Sequence, residues 1–435
     1  MKILYLYDFP LWGNGSANYL RNLVTQLSKR HEIAVLAPDQ RQLEPNVKRY
    51  IVKLPFPCPV YFGHPELPNS KKYSELTGVE LTKLYKAYLA ASVRAAVSFK
   101  PDIIHTNHFG LLTWVASYIR SIFNVNFIAT THGSCLKHIE TNRRNIPLTR
   151  NSLYDAKAIT TISSHNKQWM LKLLGKDLRH RTKVIPGGLN FKKFSVNCST
   201  ARLDEKYNLV NENVALFVGR LTKEKGVEYL IRAADKIDGQ IFIIGDGPEK
   251  ANMEKLNQDL NNVNVRFLGY FDKSKAEELK EFYARADVFV APSVCHEALG
   301  LVILEAMSYA TPTVATRKGG IPLAVKNGKT GLFVKTRNVE DIALKVNQLF
   351  KDDNLRKKMG IEAKALVEKK FTWENIALGY EKIYKNIITG NGNGHSGKKI
   401  VSGSPAKSQK NPKKYLPKSV IKSQIKIAKK ITKKI

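Results

Sequence analysis

Three stretches of the chain carry residue types at spacings that could do chemistry, and each falls where a strand-like run gives way to a helix-like one. In the first, Gly13-Asn14-Gly15 follows the apolar run Ile3–Tyr7, with Ser16 placed to cap the helix behind it. Glycines there let backbone N–H groups close on a phosphate at a helix N-terminus. A dinucleotide fingerprint would carry a third glycine where Asn18 stands, and Asp39 is a loose match for the acid that binds a ribose. A tight turn without a ligand is the plainer alternative. In the second stretch, Gly219 to Gly226, Arg220 and Lys225 leave the end of a strand five positions apart. They can converge on a diphosphate, arginine as a fork and lysine as a point charge, or stand as ordinary surface cations. In the third, Ser293 to Met307, a buried strand runs into a loop carrying Glu297, and Gly300 and Leu301 begin an apolar helix that contains Glu305. The N–H groups of that helix start attract a phosphate. Glu305 lies four residues beyond Leu301 on the same helix face. A carboxylate among apolar neighbours needs a partner, either the two hydroxyls of a ribose or a nearby lysine.

Strand and helix patterns alternate along the whole body of the chain and place these loops. Short apolar runs rich in β-branched residues read as buried parallel strands: Ile3–Tyr7, Ile33–Leu36, Ile103–Thr106, Phe127–Thr131 and Ala158–Ile162, then Val214–Val218, Gln240–Ile244, Val263–Leu268, Val288–Ala291, Thr313–Ala315 and Gly331–Val334. Amphipathic stretches such as Ala17–Lys29, Val227–Lys236 and Leu301–Tyr309 separate them. This pattern predicts an α/β chain of two doubly wound domains, with a break near Pro186-Gly187-Gly188. The expected division is a first domain over 1–188, a linker over 189–212 and a second domain over 213–370. Ligands of such sheets bind beyond the carboxyl ends of the strands, so two of them facing each other would enclose a cleft.

The chain has 435 residues and a formal net charge of +34. Charge on that scale concerns partners, with nucleic acid, anionic lipid and phosphorylated substrates all eligible. Four scattered cysteines without a C-x-x-C spacing argue against a disulfide framework or a zinc site and fit a reducing compartment. No apolar run reaches the length of a signal peptide or a membrane span, which predicts a cytoplasmic protein or one held at a membrane face. Residues 391–435 contain thirteen lysines and no acid. A Gly/Ser/Lys linker over 389–416 leads into 417–435. On a helical wheel of residues 418–435, Lys418, Lys422, Lys426, Lys429, Lys430, Lys433 and Lys434 fill one half. Val420, Ile421, Ile425, Ile427, Ala428, Ile431 and Ile435 lie in the other. That segregation predicts a basic amphipathic helix lying on an anionic membrane. A solvated tail or a nucleic-acid arm would not need the isoleucine face.

Phe217-Val218-Gly219-Arg220-Leu221, Lys225-Gly226, Ile244-Gly245-Asp246-Gly247-Pro248, Phe267-Leu268-Gly269 and the Glu297 to Glu305 block occur in the order seen in glycosyltransferase family 4, the retaining GT-B glycosyltransferases, and the chain resembles that family over roughly residues 1–388. The resemblance implies two Rossmann-like domains facing across a cleft, with the acceptor on the first and a nucleotide-sugar donor on the second. Arg220 and Lys225 resemble the pair that binds the donor diphosphate, and Glu305 the ribose-binding glutamate. Glu297 resembles the glutamate at the donor sugar hydroxyls, beside the backbone of Gly300 and Leu301. Gly13 and Gly15 resemble the loop that closes on diphosphate and acceptor, and His132 the cleft histidine near the transferred sugar. Residues 371–388 resemble the terminal helix that crosses back to the first domain. The chain departs from the pattern at Ala298-Leu299, where the family often has Gly-Phe, and at Gly133, where it often has Asp.

The leaving group would be a nucleoside diphosphate, and fixed cations and helix-end amides stabilise the charge that develops on it. No Asp-x-Asp occurs, so neither metal nor cofactor is expected. The family implies retention with same-face attack, with Glu297 and His132 orienting groups and stabilising charge. Expected partners are the donor, a glycan or lipid-linked acceptor and an anionic membrane, with no specific nucleic acid. A nucleotide-sugar epimerase would share the fold and donor site, and a non-catalytic nucleic-acid binder would use the charge alone.

Overall fold

The computed structural model describes residues 1–61, 67, 69–191, 198–295, 297 and 299–390. Of the expected linker over 389–416, residues 391–416 lie outside the described residues, as does the expected basic helix over 417–435. The first sheet is built from β1 (Lys2–Leu6), β2 (Glu32–Ala37), β3 (Val47–Ile51), β4 (Ile103–Asn107), β5 (Asn126–Thr131), β6 (Ala158–Thr161) and β7 (Thr182–Val184). Its order is β3-β2-β1-β4-β5-β6-β7, with every pairing parallel. Ile3, Leu4, Tyr5 and Leu6 of β1 are all fully buried, as expected of a strand covered by helices on both faces.

The second sheet contains β8 (Val214–Val218), β9 (Gln240–Ile244), β10 (Val265–Gly269), β11 (Val288–Ala291), β12 (Thr313–Thr316) and β13 (Gly331–Val334). Its order is β10-β9-β8-β11-β12-β13, again all parallel. The protein is thus an α/β chain with two Rossmann-like sheets in the GT-B arrangement. In both sheets the strand order reverses once, between β1 and β4 and between β8 and β11. Those are the points where a doubly wound sheet opens a crevice at its carboxyl edge.

The chain passes between the two cores at only two neighbouring places among the described residues. Ile185 is buried in the first core and Leu189 in the second; Phe371 is buried in the second and Trp373 in the first. The Leu189 N–H donates to the Phe371 carbonyl at 2.6 Å, so the two crossings are hydrogen-bonded to each other. From there helix Trp373–Ile388 runs along helix Gly15–Leu27 on the first sheet.

That last helix is held by a buried polar row. The Tyr384 hydroxyl meets the Tyr5 hydroxyl at 2.7 Å and His105 Nδ1 at 2.7 Å. His105 Nε2 lies 2.6 Å from Thr130 Oγ1. The Tyr380 hydroxyl contacts Thr130, Thr160 and Tyr19. At the far end Glu381 accepts from Arg30 Nε at 2.7 Å and lies 2.9 Å from His31 Nε2. Burial holds the His105 pKa down at about 3, so the ring is neutral and acts as a hydrogen-bonding link, not a charge. Tyr384→Phe would strip one partner from both Tyr5 and His105 in a site without water access, at a cost of about 1–3 kcal/mol. The expected result is a lower thermal midpoint by circular dichroism. An unchanged midpoint would show that the row does not hold the helix.

Candidate functional site

The loops that follow the strands at the second switch point are packed onto one another by glycine. Gly226 has φ +68°, and a Cβ there would lie 2.3 Å from the Pro292 carbonyl oxygen. At Gly319, φ +53°, it would lie 2.0 Å from that of Glu297. Only glycine allows both the left-handed backbone and the close approach. Backbone hydrogen bonds from Val294 to Glu224 and from Gly320 to Glu297 complete the junction. The segment after β8, the Glu297 loop after β11 and the loop after β12 therefore form one wall.

That wall brings Lys225 and Glu297 together, with Nζ 2.5 Å from Oε2 and both side chains part-buried. Expected to have separate duties, the two residues form an ion pair, so a ligand phosphate would compete with or join Glu297 at Lys225. Arg220 is exposed at the end of β8. Helix Leu301–Ser308 starts at Gly300, φ +76°, with no side chain capping its first turn. Its leading N–H groups keep the positive end of the helix available to an anion. Glu305 sits one turn in. The Tyr283 hydroxyl donates to its Oε2 at 2.7 Å, so a phenol, not a lysine, is its partner. Burial raises the Glu305 pKa, against a smaller lowering by the Tyr283 hydrogen bond.

On the facing sheet, Gly13 and Gly15 follow β1. Gly13 has φ +87°, and the space beside Gly15 is open. The helix behind them begins at Gly15 with Asn14 as its N-cap, not Ser16. Asn14 Oδ1 accepts from the Ala17 N–H at 2.8 Å and from the Tyr7 hydroxyl at 2.9 Å. The helix thus starts two residues earlier than a Ser16 cap would place it. Asp39 proves structural: it accepts from the Leu11 N–H at 2.7 Å and pairs with Arg41. Trp12 lies between the guanidinium groups of Arg21 and Arg41, 4.8 and 4.5 Å from its ring. The glycine loop is therefore flanked by held residues, and Asn14 between its two glycines is tied to the helix start.

His132 follows β5. Its Nε2 lies 3.2 Å from Asn107 Oδ1, which can only accept, so Nε2 carries the hydrogen and Nδ1 the lone pair. The Tyr19 and His108 rings both stand T-shaped to the His132 ring, with centroids 4.9 and 5.2 Å away. Burial first, then His108 and His105, hold the His132 pKa well below the usual range. It is a neutral imidazole, able to donate and accept hydrogen bonds but not to supply positive charge. Beside it, His108 Nδ1 and Asp8 Oδ1 lie 2.6 Å apart, both 1% exposed. Asp8, Asn107, His108 and Tyr19 escaped the sequence reading. The available signal was that Asp8 ends the first strand and Asn107-His108 the fourth, which are neighbours at the switch point.

Residues 199–366 match the model of the glycosyl transferases group 1, and residues 13–193 that of glycosyltransferase family 4. The chain belongs to the group 1, GT-B glycosyltransferases. It is 32% identical over 303 residues to an uncharacterised glycosyltransferase of Methanocaldococcus jannaschii, covering 66% of this chain and 75% of that protein. It is 26% identical over 392 residues, 85% of this chain and 94% of the relative, to a GDP-mannose-dependent phosphatidylinositol monomannoside mannosyltransferase of Mycolicibacterium smegmatis. The fold is shared with the Anabaena protein HepE in complex with UDP, at TM-score 0.68 and 19% identity over 89% of this chain and 100% of the other.

In this glycosyltransferase the environment of Glu305 has a testable consequence. An acid whose folded-state pKa is raised binds its proton more readily when folded. Its charge therefore opposes folding above the raised pKa, and the opposition is gone below the ordinary glutamate value of about 4.3. Glu305→Gln keeps an acceptor for Tyr283 and removes the charge. Its thermal midpoint should exceed the parent's at pH 8, with the gap closing by about pH 4. A midpoint at or below the parent's at pH 8 would contradict the assignment.

Proposed function

We propose that the protein is a retaining, hexosyltransferase-type glycosyltransferase that moves a sugar from a nucleotide-diphosphate donor to a glycan, lipid-linked or envelope-polysaccharide acceptor without a metal cofactor. The observation that carries this reading is the wall beyond β8 and β11, where Lys225 and exposed Arg220 lie on loops locked to the one leading into the uncapped helix start at Gly300-Leu301. Cations and amide dipoles of fixed position are what a departing diphosphate requires, and they stabilise it without a metal ion. Glu305, held by Tyr283, is the acceptor for ribose hydroxyls. Glu297 holds the sugar hydroxyls and tunes Lys225. His132 reaches the transferred sugar from the facing sheet as a neutral hydrogen-bonding group. Retention follows from the resemblance to family 4, with the departing phosphate taking the acceptor's proton.

The mycobacterial relative's name states a GDP-mannose donor and a phosphatidylinositol-type acceptor, and HepE was solved with UDP. Both support a nucleotide-sugar donor; the first also supports a lipid-linked acceptor. Arg220→Ala and Lys225→Ala each remove a charge-assisted contact and should weaken nucleoside-diphosphate binding by about 1.5–3 kcal/mol in calorimetry. Unchanged affinity in both variants would sink the donor assignment. Activity that survives EDTA and a product of the donor's own anomeric configuration by NMR are the expected outcomes for the remainder.

We further propose that residues 417–435 hold the enzyme on an anionic, cytoplasmic membrane face. The support is the division of lysines and isoleucines on the wheel. No helix among the described residues is long and apolar enough to cross a membrane. Replacing Ile421, Ile425 and Ile431 with Ser keeps every charge while removing apolar area, so the variant should lose most of its sedimentation with vesicles containing phosphatidylglycerol. Undiminished sedimentation would leave charge attraction alone.

A further inference from the structure

Tyr19 lies in helix Gly15–Leu27, one turn beyond the glycine loop, and is 5% exposed. Its ring stands edge-on to His132 at 4.9 Å and to Trp373 at 5.1 Å. Its hydroxyl lies 3.0 Å from that of Tyr380, which in turn contacts Thr130 in β5, two residues before His132. A Cβ on Gly187 would lie 3.6 Å from Tyr19 Cδ2, 3.7 Å from Leu299 Cδ2 and 3.9 Å from Leu301 Cδ2. Tyr19 therefore touches the cleft histidine and both inter-sheet crossings, and one glycine separates it from the helix start of the donor wall.

We propose that Tyr19 is a positioning residue for His132, tying the imidazole to the hinge on which the donor wall rests. This rests on the reading of His132 as a group that acts on the transferred sugar. The ring has little freedom. Turning it away from His132 would break the Tyr380 hydrogen bond and open space beside Trp373, both in a packed interior. The Asn107 contact fixes one nitrogen of His132, and the Tyr19 and His108 rings, both T-shaped to it, limit its pivot about that bond. A shift of the donor wall against the first sheet reaches Gly187 and Trp373 first, and Tyr19 is the side chain common to both. A tyrosine that only filled the core would need neither the ring contact to His132 nor a place beside Gly187.

The test uses the full chain and four variants: Tyr19→Phe, Tyr19→Leu, His132→Ala and the double Tyr19→Leu/His132→Ala. Turnover of a nucleotide sugar accepted by the parent, nucleoside-diphosphate affinity by calorimetry and the His132 imidazole NMR signals, assigned by their loss in His132→Ala, are read for each. Tyr19→Leu should lower kcat by about ten- to a hundred-fold, as expected for a displaced reacting group, while diphosphate affinity stays within about twofold. Tyr19→Phe keeps the edge contact and should recover most of the turnover. In the His132→Ala background Tyr19→Leu should add little, because both changes remove the same arrangement. In the single Tyr19→Leu variant the His132 signals should shift or broaden. Additive losses in the double variant, equal losses in kcat and diphosphate affinity, or Tyr19→Phe as impaired as Tyr19→Leu would overturn the proposal. If Tyr19→Leu does not fold, Tyr19→Met takes its place. If the parent turns over no nucleotide sugar, the functional reading fails on its own, and the NMR arm still decides: unmoved His132 signals in Tyr19→Leu would refute the positioning role.

Discussion

The row of hydroxyl and imidazole groups under helix Trp373–Ile388 sets the geometry on which the cleft depends. Tyr5, His105, Thr130, Thr160, Tyr380 and Tyr384 are all fully buried, and their hydrogen-bond partners are one another and Tyr19. A hydrophobic helix face tolerates small slips; a buried polar row does not, because one displaced hydroxyl leaves several groups unpaired at low dielectric. The helix therefore has one seating on the first sheet. Its first turn carries Trp373, two residues beyond Phe371 in the other core, so that seating also places the second sheet.

The two faces of the cleft then differ in electrostatic character. The second sheet offers Arg220, Lys225 and helix-end amides. The first offers His132, kept neutral by burial and by its neighbours His108 and His105, along with the buried Asp8–His108 pair. Under the proposed function, charge stabilisation belongs to the second sheet and hydrogen-bond orientation to the first. A neutral imidazole with Nε2–H held on Asn107 keeps a lone pair in a defined direction.

Much of the fold was legible because fully buried parallel strands have a plain signal, uninterrupted β-branched runs, and eleven of the thirteen strands carried it. The two that did not are edge strands. β3 reads Val-Lys-Arg-Tyr-Ile, with cations where an exposed edge needs them, and β7 has only Thr182–Val184. Helix starts were less legible. Both Asn14 and Ser16 are good caps by type; in the fold both contact the Tyr7 hydroxyl and Ser16 itself donates to Asn14 Oδ1, pairings that local sequence does not reveal. On the donor side, glycine spacing and strand ends pointed to Arg220, Lys225, Glu297 and Glu305, but their partners remained hidden. Glu305 finds Tyr283 and Lys225 finds Glu297 across 22 and 72 residues, distances over which no periodicity speaks. On the first sheet His132 came from resemblance alone, and the groups around it come from two strand ends and a helix.

One departure from the family pattern is explained by packing around that histidine. Gly133, where an acid is often found, has φ +103°, a backbone conformation costly for any other residue. A Cβ there would lie 3.3 Å from Nδ2 of Asn166, which is 4% exposed in the helix after β6. An aspartate at 133 would thus carry both backbone strain and crowding against an amide that cannot withdraw. Asn107 instead supplies the oxygen that orients His132. It does so from β4, and Asn107 pairs in register with Thr130 of β5, so the imidazole is oriented from the rigid sheet instead of from its own loop. A group held from the sheet takes its direction from paired backbone and not from the conformation of the loop beside it.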